Sequence, residues 1–344
     1  MSIKSILSLP VLLGLLICSI IGAIFLGAYQ ISFSEVVQAM VNFLNGKNNT
    51  ITYLIFHIRL PRILLAGVVG GGLAIAGAAI QGLFRNPLAE PSLIGITSGA
   101  MLFAVMAIML MGSVLASFTA LFLQATISIF AFVGGLLTTY LVYFLSSKQG
   151  RTNVLTMLLA GIAISALAAA IVGFFITISD DQQLRSITFW TLGSVSGATW
   201  IQLAITAPIV IIGTFILSSY AKALNAILLG EKEAIYIGIA VEQVKSRIIF
   251  ITALIVGVSI AMTGIIGFVG LIIPHFLRLI FGTDYRFLLK GSALLGAIFL
   301  ILTDTLARTI VAPAELPIGI LTALIGAPFF LWLLLRAQRK TFAI

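Results

Sequence analysis

Charge is what this chain of 344 residues has least of: 8% of its residues are Asp, Glu, Lys or Arg, against about 25% in an ordinary soluble domain. With 61% of residues hydrophobic, the chain has too little polar surface to cover a water-soluble globule, so most of its surface must face lipid. A soluble enzyme, a soluble binding module and a disordered chain are excluded at that step. Cysteine is almost absent. The single Cys18 sits in the first apolar run, so neither an internal disulfide nor a cysteine metal cluster can form, and it reads as a packing residue. Two histidines, His57 and His275, and one thiol do not supply the nucleophile–base or metal constellation that an intramembrane enzyme needs. No GxxxxGK[ST] phosphate loop occurs, so the chain is not expected to hydrolyse ATP itself.

What is present is a series of long apolar runs. A membrane-crossing helix needs about 20 apolar residues, and ten runs qualify or nearly so: roughly 8–28, 60–82, 93–111, 117–145, 154–177, 200–219, 247–264, 267–281, 291–310 and 317–335. The expected fold class is therefore an all-α polytopic membrane protein, a single domain over 1–344. The first run is longer than the roughly 7–15 residues of a signal-peptide core and reads as an uncleaved span. The net charge of +9 reflects membrane topology rather than nucleic-acid binding. With both termini cytoplasmic, 14 of the 19 Lys and Arg, Lys4 among them, fall inside, as the positive-inside rule requires. The eighth run is short and Pro274 interrupts it; such breaks are tolerated only where protein or water satisfies the freed backbone.

Outside the membrane, 31–44 has helical spacing with Ser34 as its expected cap, and 180–199 is expected to hold a short amphipathic helix lying on the outer rim. A weak internal echo links LAIAGAAIQGLF (73–84) to VSIAMTGIIGFVG (258–270). Each leads into a proline break. The copies lie five spans apart and would be inverted, a transporter signature.

The stretch 59–100 carries the most chemistry. Arg59 and Arg62 stand at the outer mouth of the second span, Gly67, Gly71, Ala76 and Ala79 let a neighbour approach closely, and Arg85, Asn86, Pro87, Glu90 and Pro91 make a rigid polar turn. The third span then opens on a polar start containing Thr97 and Ser98. RLPR, GAAIQGLFRNPLAEPSLIGITSGA, GFVGLIIPHFLRLIFGTDYR and ELPIGILTALIGAPFFLWLL follow one another in register. Over about residues 50–338 the chain resembles the FecCD-like permease subunits of iron–siderophore, haem and cobalamin ABC importers.

That resemblance implies a type II importer fold acting as a homodimer with a central path. It also implies two copies of an ABC ATPase on the cytoplasmic face and an extracytoplasmic substrate-binding protein outside. No cofactor is expected in this subunit, ATP being bound by its partner. Transport would run from the periplasm or outside to the cytoplasm, across a bacterial inner membrane. Arg59, Arg62 and Arg308 resemble the family's outer-rim arginines, expected here as a solvent-facing socket for a partner's carboxylates. The inner loop 221–246 matches the ATPase-coupling segment, with two helical pieces near 231–237 and 241–245. Leu228, Leu229, Ala234, Ile235 and Ile239 are its apolar knobs, Glu231, Lys232 and Glu233 its polar rim, and Gly230 and Gly238 its turns. The fifth span is expected to line the path with a small-residue, weakly polar wall containing Thr156, Ser165, Ala166, Ala168, Ala169 and Ala170, joined by Thr97 and Ser98.

The remaining polar residues carry weaker expectations. Asp304, inside the ninth span, is expected to pair locally with Arg308 at i+4. Glu315 is expected to cap the tenth span, His275 to be a satisfied structural histidine, and His57 to lie at the interface. A secondary transporter of a small organic solute is the alternative reading, weakened because Asp304 is the only acid inside a span. Cobalamin permeases carry a Thr-Ser pair where this chain has Val154 and Leu155; that departure lowers cobalamin and leaves haem ahead of ferric siderophores as cargo.

Overall fold

In the computed structural model, which describes residues 8–47, 49–113 and 120–341, fourteen helices account for nearly all regular structure. Lys4 and the first residues of the expected fourth span, 117–119, lie outside the described residues. In chain order the helices are α1 (Leu9–Phe25), α2 (Phe33–Leu44), α3 (Thr50–Leu83), α4 (Ile96–Ser113), α5 (Ala120–Ser146), α6 (Val154–Thr177), α7 (Asp181–Leu192), α8 (Trp200–Ser219), α9 (Ala221–Leu229), α10 (Glu231–Tyr236), α11 (Val241–Thr263), α12 (Val269–Phe281), α13 (Tyr285–Ala307) and α14 (Ile318–Thr341). A two-residue-per-strand hairpin, β1 (Ser147–Lys148) and β2 (Arg151–Thr152), joins α5 to α6. Each of the ten apolar runs carries a helix. Six of those helices are long and apolar enough to cross a membrane by length and composition alone.

α3 is the centre of the fold, with 78% of its apolar window buried. It reaches further out than the 60–82 expected from hydropathy, through a π-helical stretch, Leu54–Arg59. Its glycines explain the burial. A Cβ at Gly70 would stand 2.3 Å from the Gly296 carbonyl of α13, and one at Gly77 would stand 1.9 Å from the Gly270 carbonyl of α12. Gly67 and Gly71 also face α13. Only hydrogen side chains let these backbones meet, and in lipid such close packing is a main source of helix association. The first echo segment thus lies on α3, and the second runs from the end of α11 through the break into the start of α12; α3 and α11 are the most buried of the six long apolar helices.

Three local expectations are corrected. Ser32, not Ser34, caps α2: its hydroxyl accepts from Glu35 N while the Glu35 carboxylate accepts from Ser32 N at 2.7 Å, a reciprocal capping box. The piece expected at 241–245 is the first turn of α11, because Val241, Val244 and Ile248 carry the buried face of that helix into the loop. The break in the eighth span lies before α12, at Gly264–Phe268, whereas Pro274 sits inside the helix. Helix α7 exists where expected, begun by Asp180 in a capping box with Gln183. It does not simply lie on the rim. Its C-terminal end enters the fold, with Ser194 N donating to the Thr263 carbonyl at 2.7 Å and Leu192 packed at Gly319.

Candidate functional site

Three places concentrate the polar groups of this apolar chain. The first is where α1, α3, α13 and the segment before α14 meet. Arg59, Arg62, Asp304 and Arg308 are 4%, 5%, 2% and 4% exposed. The Arg62 guanidinium grips Asp304 through Nε (3.0 and 3.1 Å) and Nη2 (2.9 Å), and Glu315 through Nη1 (2.9 and 3.0 Å). Arg59 donates to the carbonyls of Ile24 and Tyr29, and Arg308 to that of Ala23. The structure therefore brings the three arginines together but turns them inward, correcting the solvent-facing socket. The cause is the end of α1, whose last carbonyls have no helical partner and draw Arg59 and Arg308. Asp304 pairs chiefly with Arg62, and the expected i+4 ion pair with Arg308 is present but longer, at 3.9 Å. Glu315, expected as a cap, is the second arm of the same fork.

The second place is the break between α11 and α12. Pro274 has no N–H, so the Gly270 carbonyl four residues earlier is left without its helical donor. Gln81 of α3 repairs this, its Nε2 donating to the Gly270 and Leu271 carbonyls at 3.3 Å each. Phe268, in a left-handed conformation (φ 68°), starts α12, and its N–H is accepted by the Glu90 carboxylate at 3.2 Å. Glu90 also accepts from Ser92. The chain after α3 thus folds back until Pro91 touches Gly270 beside Gly77, so the expected polar turn keeps Arg85, Pro87 and Leu88 exposed while Ala89, Pro91, Ile94 and Gly95 pack into the fold. Cavities of about 310, 190 and 580 Å³ flank the break. Thr97 lines the 190 Å³ cavity beside Glu90 and Ser92. Ser98 and Ser165 meet hydroxyl to hydroxyl at 3.0 Å, tying α4 to α6. Thr156 and Ala169 lie on the exposed face of α6, only 17% of whose apolar window is buried. That face also presents Leu155, Leu159, Ile162 and Leu167 while Ala168 is buried, so it is more apolar than the small-residue wall expected.

The third place is the segment α9–α10. Gly230 (φ 147°) turns the chain between the two helices, and Gly238 (φ 85°) ends the second. Leu229, Ile235, Tyr236 and Ile237 are exposed, the last three consecutively. Ala234 is corrected from a surface knob to a fully buried residue within the main hydrophobic cluster. Glu231 stays 40% exposed at its side chain and also meets Lys245 Nζ at 2.7 Å. Lys232 and Glu233 stay exposed.

Sequence reasoning missed Gln81 and Lys245. Gln81 could have been found as the one amide within a buried Gly/Ala helix. Lys245 could have been found by its register, i+4 from Val241 and adjacent to Val244 on the apolar face. His275 is only partly the satisfied residue expected: its ring meets Phe329 edge-on, and Nδ1 is buried without a hydrogen-bond partner among the described residues. His57 is exposed and stacks on Tyr53. Cys18 is free and exposed on α1. Among the described residues no group of three or more His, Cys, Asp or Glu converges on a metal-sized site.

Comparison with known proteins places these features in context. The model of the FecCD transport family matches residues 15–336. The hemin transport system permease protein HmuU of Yersinia pestis is 43% identical over 334 residues, 97% of each chain. The cobalamin import system permease protein BtuC of Halobacterium salinarum is 40% identical over 289 residues, 84% of this chain and 75% of that one. A solved metal-chelate type ABC transporter in an inward-facing conformation superposes with a TM-score of 0.82 at 34% identity, over 95% of this chain and 98% of that chain.

Proposed function

Since this chain belongs to the FecCD transport family, a family of multi-pass ABC importer permeases, we propose that its cargo is haem, delivered to the cytoplasm by a homodimer. The support for haem is the 43% identity to a hemin permease along 97% of both chains, together with Val154 and Leu155 at the start of α6. In this reading both termini are cytoplasmic, in the cytoplasmic membrane. An extracytoplasmic binding protein docks on the outer rim that Arg59, Arg62 and Arg308 hold in shape. The exposed face of α6, with Thr156 and Ala169, lies toward the dimer axis, and Thr97, Ser98 and Ser165 stand behind it.

One observation carries the coupling role. Leu229, Ile235, Tyr236 and Ile237 form an exposed apolar patch on a short helix rimmed by Lys232 and Glu233, the pattern of an interface with an apolar core and polar rim. In the complex this patch enters a groove on the ATPase. Ile235→Asp and Tyr236→Asp should leave the permease folded in the membrane and abolish copurification of the ATPase. Unchanged copurification in both would remove α10 from the interface. Cargo is tested by reconstituting the permease with its ATPase and binding protein in liposomes and offering haem, a ferric siderophore or cobalamin. Uptake of cobalamin alone would overturn the haem assignment.

A further inference from the structure

We propose that Lys245 is the positioning residue that ties the ATPase-docking helix α10 to the path-facing helix α6. The inference rests on the reading of α10 as the ATPase contact. Lys245 lies on α11 and is among the largest fully buried side chains of the protein, 2% exposed. A buried ammonium is stable only if its three hydrogens find acceptors, and all three do. Nζ donates to Glu231 Oε2 at 2.7 Å, to Glu242 Oε1 at 3.0 Å and to the Thr152 carbonyl at 3.1 Å.

These three acceptors belong to three different elements. Glu231 is the first residue of α10, Glu242 lies in the first turn of α11, and Thr152 ends β2. Glu242 also uses its second oxygen: Oε2 accepts from Thr152 N at 2.8 Å. Thr152 is thus held at both its N–H and its carbonyl by the Lys245–Glu242 pair. Asn153 follows at once and caps α6, its side chain accepting from Thr156 N at 3.0 Å. From α10 to the first turn of α6 the connection is a chain of short bonds with no flexible link. Ala234, fully buried in the main hydrophobic cluster, anchors α10 to the body of the fold.

The arrangement is also directional. One ammonium faces two carboxylates, and the carboxylates are each about a third or more exposed while the ammonium is not. A small displacement of α10 by the ATPase therefore pulls on Glu231, and the strongly held ammonium passes that pull to Thr152 and so to α6. A flexible loop would dissipate it. Electrostatic strength at this spot comes from the burial of Nζ, because ion pairs in water are weak.

The test uses the whole complex of permease, ATPase and binding protein in liposomes, comparing wild type with Lys245→Met and Lys245→Gln. Methionine keeps the apolar stem and removes all three donors. Glutamine keeps two N–H donors without charge, and serves if the methionine variant does not assemble. The reading to compare is cargo delivered per ATP hydrolysed, which a merely less stable protein would not change. We expect each variant to copurify with the ATPase and to hydrolyse ATP at a basal rate within about twofold of wild type, while cargo per ATP falls at least tenfold. An unchanged ratio overturns the proposal. If Lys245→Met and Lys245→Gln lose the ATPase altogether, Lys245 shapes the docking surface instead, which also overturns it. Failure of the docking reading is separately visible, as retained copurification in Ile235→Asp and Tyr236→Asp.

Discussion

Replacing Arg62 by methionine removes the guanidinium that grips Asp304 and Glu315 while keeping a side chain of similar length. Glu315 is 41% exposed at its side chain and can take up water, so its loss costs about 0–1 kcal/mol. Asp304 cannot, being 2% exposed, and Arg308 Nε at 3.9 Å is its nearest remaining cation. Moving Arg308 closer would break its bond to the Ala23 carbonyl. Removing one partner of a buried pair costs roughly 3–5 kcal/mol, against a total stability of about 5–15 kcal/mol for a folded protein. Arg62→Met should therefore melt well below wild type, and Arg62→Met with Asp304→Leu should recover most of the loss, because an apolar pair can replace a buried ionic one at little cost. Arg62→Lys should recover only part of the loss, since a single ammonium on a shorter reach cannot reproduce the bidentate fork to Asp304 together with the second fork to Glu315. The assay is the fraction surviving a heat step as a monodisperse peak in detergent. The reasoning is refuted if Arg62→Met melts with wild type, or if the double variant is worse than the single. The same measurement must precede any docking experiment on these arginines. A glutamate at Arg59 would face the Ile24 and Tyr29 carbonyls, and misfolding would then mimic a loss of binding-protein capture.

Other consequences are open to direct measurement. Gly70→Val should abolish folded yield, because its Cβ would lie 2.3 Å from the Gly296 carbonyl and backbone cannot yield as a side chain can; normal yield would show that α3 and α13 do not cross there. Gln81→Leu should cost about 1–3 kcal/mol by leaving the Gly270 carbonyl, which Pro274 cannot serve, unpaired, read as a lower melting temperature. Cysteines at Ser98 and Ser165, in a Cys18→Ser background, should form an internal disulfide on oxidation and block uptake until reduced, given the 3.0 Å between the hydroxyls; free uptake after confirmed crosslinking would show that α4 and α6 need not move apart. Asp284, which starts α13, is held below the usual carboxylate range by the Arg286 N–H and by Asn225 of α9. A depressed carboxylate adds stability above its unfolded pKa of about 3.9 and loses it as pH falls through the lower folded value. Melting temperature should thus drop more steeply below about pH 4 in wild type than in Asp284→Asn; parallel curves would refute the assignment.

The limits of sequence reading follow from the range of the forces involved. Hydropathy reports a residue's own partition between water and lipid, so the ten apolar runs were legible and each carries a helix. Helix presence was legible where the signal is local, as with the short helix in 180–199, whereas the cap of α2 was misread by two residues at Ser34 because Ser32 offers the same chemistry. The four long motifs identified the family. Helix partners were not legible. Asp304 looked to Arg308 because i+4 is the only neighbour a sequence displays; that pair exists at 3.9 Å, but the short bonds go to Arg62, 242 residues away.

The chain by itself determined that this protein lives in lipid, that it is built of helices, where those helices run, and which family it joins. All of these depend on composition and short-range pattern. Only the tertiary structure decided that the three outer arginines turn inward, that Gln81 repairs the carbonyl freed by Pro274, and that Lys245 joins α10 to β2. The reason is common to all three. In a nearly uncharged interior each polar group must find a partner within about 3 Å, and which partner comes within reach is set by how glycine-lined helices cross, not by distance along the chain.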